Sequence, residues 1–212
     1  MNALLTIFAT SFVVAFSGAM MPGPLMTATV GESARSGPWV GPKMIAGHAL
    51  LEIGLLFALF FGLAPLFENE LFFILIALIG GVIMIWMAQS MFRSIPKLGI
   101  KAESSSGKSM NVYLSGILMS LANPYWIIWW ATIGLGYVLV SGELGFAGIA
   151  FFFAGHILGD LVWYSAISFA VGNGRRFFSD RTYRILVGAC AVFLAVFAAW
   201  LMIKGIGRWI DL

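Results

Sequence analysis

The sequence is short of charge. Asp, Glu, Lys and Arg together make up 10% of its 212 residues, against about 25% in an ordinary soluble domain. With 61% of the chain hydrophobic and a mean hydropathy of +0.98, a water-soluble globule of this size could not hide its apolar surface. That excludes a soluble enzyme, a nucleic-acid binder and a disordered chain. Cysteine is almost missing. Cys190 stands alone, so there is no internal disulfide, no CxxC pair and no cysteine cage for a metal. Residues 1–31 carry no charge at all. No Lys or Arg marks the N-terminus, and no polar segment with a small-residue cleavage pattern follows the first apolar run. That run therefore reads as a retained span and not as a secretory signal.

What is present is a series of long apolar runs. A bilayer-crossing helix needs about 20 apolar residues. Six stretches reach that length: Ala3 to Met21, Met44 to Phe67, Leu71 to Phe92, Val112 to Val140, Leu144 to Val171 and Ile185 to Ile203. They are continuous and lack the period-two alternation of barrel strands. The expected fold class is an all-α integral membrane protein with six transmembrane helices. Its orientation follows from the basic residues. Arg35, Lys43, Arg93, Lys97, Lys101, Lys108, Arg175, Arg176, Arg181 and Arg184 all fall in connections on one side, and only Lys204 and Arg208 on the other. Glu68, Glu70 and Glu143 mark connections without a base. The basic side is expected to be cytoplasmic, with both termini external. Five spans with an internal N-terminus would result if the first run only dips into the membrane. The basic loops are explained by orientation and lipid headgroups, with no specific anionic ligand.

The longest linker, residues 96–111, is polar and contains Ser104-Ser105-Ser106-Gly107. It divides the chain into residues 1–95 and 112–212, and the two parts resemble each other. Ala46-Gly47-His48-Ala49-Leu50-Leu51-Glu52-Ile53 matches Ala154-Gly155-His156-Ile157-Leu158-Gly159-Asp160-Leu161 at an offset of 108, and both histidines of the chain occupy the matched slot. Gly80 and Gly188 match at the same offset. Each half has three spans. Since three is odd, the second half would be inserted upside down, as two inverted three-helix repeats joined by a cytoplasmic linker. Transporters of that plan bind substrate near the midplane, between the repeats. Gly47 and Gly155 also suit close helix packing alone, but packing does not call for a buried acid.

Seven of the nine acids fall in connections or at the tail; Glu52 and Asp160 lie inside spans. An ionised side chain at mid-bilayer costs several kcal/mol, roughly 3 on the mildest scales, and usually faces a functional cavity. Each acid follows its histidine by four residues, on the same helix face. His48 with Glu52, and His156 with Asp160, can hold or pass a proton, or can form a static pair. Pro22-Gly23-Pro24 cannot continue a regular helix, and Asn123-Pro124 interrupts the corresponding span of the second half. Freed backbone groups there must face protein or a wet cavity, and paired breaks of this kind point to a binding site. Tyr125, Trp126, Trp129 and Trp130 follow the second break, as an interfacial belt, core packing or a pathway wall. Ser17, Thr27 and Thr29 either ligate substrate or bond to their own helix. Met20, Met21 and Met26 read as filler.

These motifs resemble the LysE/RhtB family of amino-acid exporters. In the first half the likeness rests on Pro22-Gly23-Pro24, Gly37, Gly41 and Ala46-Gly47-His48 with Glu52. In the second it rests on Gly116, Asn123-Pro124 and Gly155-His156-x-x-Gly159-Asp160. It covers nearly the whole chain. One departure is that the family commonly carries G-x-x-x-G-D where this chain has Leu51 and Glu52. The resemblance implies proton-driven export of amino acids or close derivatives from the bacterial cytoplasm, with the acids at Glu52 and Asp160 important for transport. The expectation is a secondary transporter in the bacterial inner membrane, not an enzyme, handling a small amino-acid-like substrate and protons. No cofactor, resident metal or nucleic-acid partner is expected, and homo-oligomers are compatible with it. Two alternatives stand beside it. Two histidines and two acids could carry a divalent transition metal outward. An intramembrane enzyme would use the same groups, although no G-x-S-x-G or H-E-x-x-H motif is present.

Overall fold

A computed structural model of the chain describes residues 3–21, 23–63, 65, 69–97, 110–173 and 179–211. Pro22, most of the linker, and the basic residues Lys101, Lys108, Arg175 and Arg176 lie outside the described residues. Everything described is helix, turn or short connection. The helices are α1 (Ala3–Ala19), α2 (Pro24–Ser36), α3 (Val40–Ala58), α4 (Glu70–Ser94), α5 (Val112–Leu121), α6 (Pro124–Trp129), α7 (Leu135–Gly142), α8 (Gly145–Asn173) and α9 (Asp180–Ile210). A π-helical turn, Trp130–Gly134, joins α6 to α7, so Pro124–Gly142 forms one span.

Local chemistry accounts for where these elements begin. Asn69, Asn111, Asn123 and Ser179 are N-caps whose side-chain oxygens accept from backbone N–H groups of the next turn. Pro24 and Pro124 occupy the first turn of α2 and α6, where a missing N–H costs nothing. Gly37 ends α2 with φ 91°, a backbone conformation that a β-carbon disfavours.

Among the described residues, five helices are long and apolar enough to cross a membrane, and α1 with α2 makes a sixth span if the pair is taken as one. That pair is bent by 81° at the break. The sequence pattern treats residues 24–36 as a connection because Thr27, Glu32, Ser33 and Arg35 dilute the apolar run. The structure makes them helical, with Thr29 and Ser33 buried. The expected fourth span is likewise interrupted at Ala122–Asn123 and divided between α5 and the continuous stretch from α6 to α7. The last helix runs from Asp180 to Ile210, longer at both ends than the apolar run that signals it.

The helices pack in three principal pairs: α4 with α9, α1 with α8, and α3 with α5. Exchanging the two halves leaves this scheme unchanged, since each half's first helix lies on the other half's second long helix. The matched glycines Gly47 and Gly155 sit at two of these crossings. A β-carbon on Gly47 would collide with the Tyr113 carbonyl of α5, and one on Gly155 with the Phe8 carbonyl of α1. Gly116 meets the Met44 carbonyl in the same way. Small residues thus let backbones touch, the ordinary route to tight helix association in lipid.

Candidate functional site

Helix α3 packs directly against α8, and that contact brings the two histidine–acid pairs together. His48, Glu52, His156 and Asp160 are 5%, 1%, 3% and 4% exposed, and one ligand atom from each lies within 4.8 Å of all the others. The pairs expected along each helix are present: His48 Nε2 is 3.0 Å from Glu52 Oε1, and His156 Nε2 is 3.5 Å from Asp160 Oδ2. Two contacts between halves complete the cluster. His156 Nε2 is 3.0 Å from Glu52 Oε2, and His48 Nε2 is 3.4 Å from Asp160 Oδ2. Each histidine therefore presents one nitrogen to both acids. Spacing along one helix cannot reveal such contacts, because they depend on how the halves dock.

The surrounding hydrogen bonds constrain where protons sit. Ser120 Oγ donates its single hydrogen to the Gly116 carbonyl at 2.7 Å, so it accepts from His48 Nδ1–H, also at 2.7 Å. With Nδ1 protonated, a neutral His48 would turn a bare Nε2 toward two carboxylate oxygens. The contact is attractive only if Nε2 carries a second proton or an acid carries one. Glu52 Oε1 also accepts from the indole N–H groups of Trp126, at 2.9 Å, and Trp130, at 2.7 Å. An indole nitrogen can only donate, so Oε1 acts as an acceptor. Asp160 makes no such indole contact among the described residues. His156 differs from His48 as well. Its Nδ1 is buried with no hydrogen-bond partner among the described residues, and its ring stacks on Trp129 at 4.6 Å between centroids.

The helix breaks open onto the same place. Gly23, Asn123, all four cluster residues, Ser120, Trp126 and Trp129 line one cavity with an internal volume of about 40 Å³. The two breaks face each other, since a β-carbon on Gly23 would lie 3.2 Å from the Asn123 amide nitrogen. Pro24 starts α2 beside this cavity, and Pro124 packs from α6 against Gly80. Pro22 lies outside the described residues. The N-terminus of α2 has no side-chain cap, whereas Asn123 caps α6 by accepting from Tyr125 N–H at 3.1 Å. Ser17, Thr27 and Thr29 bond to carbonyls of their own segments, those of Val14, Gly23 and Leu25. Sequence reasoning left Trp126 and Trp130 between several roles and passed over Ser120. The tryptophans carried a usable signal, namely two indole donors four residues apart just after a break. Ser120 carried none.

A bundle of long apolar helices, interrupted at two points and closed around buried histidines and acids, is the architecture of a multi-pass membrane protein of the transporter class. The chain belongs to the LysE type translocator family, whose model matches residues 16–205. It is 25% identical to the chemotactic transduction protein ChpE of Pseudomonas aeruginosa, over 90% of this chain and 95% of that protein. It is 23% identical to YcgF of Bacillus subtilis, whose name makes it a candidate amino acid efflux protein, over 95% of this chain and 98% of that one. No solved structure matches the chain.

Proposed function

We propose that the protein is a secondary transporter that exports amino acids or close derivatives across the bacterial inner membrane in exchange for protons. The observation that carries this reading is the four-residue cluster, in which the Nε2 atom of each histidine lies within 3.5 Å of both acids. Substrate enters from the basic, cytoplasmic side. Its ammonium group meets Glu52 or Asp160, and its carboxylate meets the uncapped N-terminus of α2, where free N–H groups and the helix dipole favour an anion. An external proton then takes over the acid and helps release the substrate. In this reading the two halves are inverted repeats, both termini are external, and Glu52, Asp160, His48 and His156 do the coupling while Gly23, Pro24, Asn123 and Pro124 shape the substrate site. The exchange-invariant packing and the facing breaks support it.

The test is efflux from bacterial cells loaded with dipeptides, with extracellular amino acids quantified by mass spectrometry. Wild-type protein is expected to raise one or a few amino acids. Glu52→Gln and Asp160→Asn, at equal expression, are expected to abolish that rise or change its pH dependence. Unchanged transport in both variants refutes the mechanism. A second reading, efflux of a divalent transition metal, draws on the same observation, because two imidazoles and two carboxylates within 4.8 Å form a donor set for such a cargo. Loss of metal tolerance in cells lacking the protein, restored by the wild type, would favour it.

A further inference from the structure

A second, larger cavity lies one helical turn from the cluster. It is an open groove, with Trp86 and Met110 of its wall exposed, and its volume is about 460 Å³, against about 40 Å³ for the inner cavity. The larger value falls in the range of small-molecule sites, about 300–1,000 Å³, whereas the smaller holds roughly three waters. The large cavity runs along one face of α2 from Pro24 to Arg35 and is bounded on its other sides by Met44 of α3, the C-terminal part of α4 and α5. Both cavities are lined by α2, α3 and α5. Met44 lines the outer one and His48 the inner one, at adjacent turns of α3.

Helix α2 stands between them. Gly23, Leu25 and Met26 face the inner cavity, while Pro24, Thr27, Ala28 and Gly31 face the outer. It is bounded at one end by a break and at the other by Gly37, whose φ is 91°. Met44 is fully buried at the boundary, with its sulfur 3.0 Å from the Thr29 hydroxyl of α2.

The lining of the outer cavity is chemically distinctive. Five of the chain's eleven methionines line it: Met44, Met87, Met91, Met110 and Met119. Methionine is unbranched and polarizable, and it conforms to varied apolar shapes. The same wall carries one anion and one cation, Glu32 and Arg35, with Arg35 Nε 3.9 Å from Glu32 Oε2. That is complementary to a molecule with a zwitterionic head and a long apolar tail.

We infer that this methionine-lined vestibule is the loading site for the transported solute, that it selects amino acids with long apolar or thioether side chains, and that α2 is the partition the solute must pass to reach the inner cavity. This rests on the exporter reading and names its substrate class. Full-length protein is reconstituted in liposomes loaded with an equimolar mixture of methionine, leucine, phenylalanine, serine, lysine and aspartate, and release is followed under an imposed proton gradient. The long apolar members are expected to leave at least ten-fold faster than the other three. Met87→Glu and Met119→Glu are expected to remove that advantage, while Met119→Leu keeps it. The ranking by the wild type needs no variant to fold. Asp160-dependent release without apolar preference, or favouring lysine or serine, overturns the vestibule inference and leaves the exporter reading standing. Release of none of the six, with Asp160→Asn indistinguishable from wild type, overturns both.

Discussion

Replacing Trp130 by Phe tests the state of Glu52 directly. The indole N–H of Trp130 donates to Glu52 Oε1 at 2.7 Å in a fully buried position. Phe keeps an aromatic ring beside Phe152 and His156, so the substitution removes chiefly the donor. A hydrogen bond to a charged acceptor contributes about 1.5–3 kcal/mol. Between helices in a membrane, measured hydrogen bonds average about 0.6 kcal/mol and reach about 1.7. The hydrogen bond's share of the Trp130→Phe cost is therefore expected to be about 2 kcal/mol in the wild-type background, if Oε1 belongs to a carboxylate. In a Glu52→Gln background the acceptor is neutral and that share should fall to about 0.6 kcal/mol, while the cost of the space left by the smaller ring is common to both backgrounds and cancels in the comparison. The assay is unfolding in mixed detergent micelles followed by far-UV circular dichroism, arranged as a double-mutant cycle. A difference of about 1.4 kcal/mol between backgrounds supports an ionised Glu52, and agreement within about 0.5 kcal/mol refutes it.

Further outcomes follow from other positions. Gly116→Ala should destabilise the bundle by about 1–3 kcal/mol, because its β-carbon meets the Met44 carbonyl, which cannot move aside. Gly54→Ala, with nothing within 4 Å, should leave the detergent melting temperature unchanged or higher, since Gly costs a helix about 1 kcal/mol relative to Ala. Ser120→Ala strands His48 Nδ1–H in a buried site, at about 1–3 kcal/mol, and should lower both the melting temperature and efflux; no change in either would remove Ser120 from the network. In a Cys190→Ala background, an impermeant maleimide applied to intact cells should label Glu143→Cys and not Ser94→Cys. The reverse pattern would invert the orientation.

The membrane class and long spans were legible because they rest on composition and run length, which no tertiary contact alters. The four cluster residues were legible for a related reason: a charge inside an apolar run is expensive, so Glu52 and Asp160 stood out, and the i, i+4 spacing drew in His48 and His156. Helix α2 escaped notice because its apolar and polar residues alternate too evenly to signal a span, and only its burial against α8 and α5 makes it helical. The contacts across halves, the anchoring of His48 by Ser120 and the indole donors of Glu52 depend on residues 72 to 104 positions apart in sequence. Each of those side chains has several local roles open to it until the helices dock.

The separation of the two cavities has a bearing on the electrical life of the cell. The inner one has room for roughly three waters, far too few to form a continuous file across a hydrocarbon layer about 30 Å thick. On the side of the vestibule, α2 and the buried Met44 interrupt any such file. Four titratable groups can thus sit in the middle of the bundle without becoming a proton wire. If the protein exchanges protons for solute as proposed, current should flow only when it turns over, so a cell can hold many idle copies without depolarising its membrane.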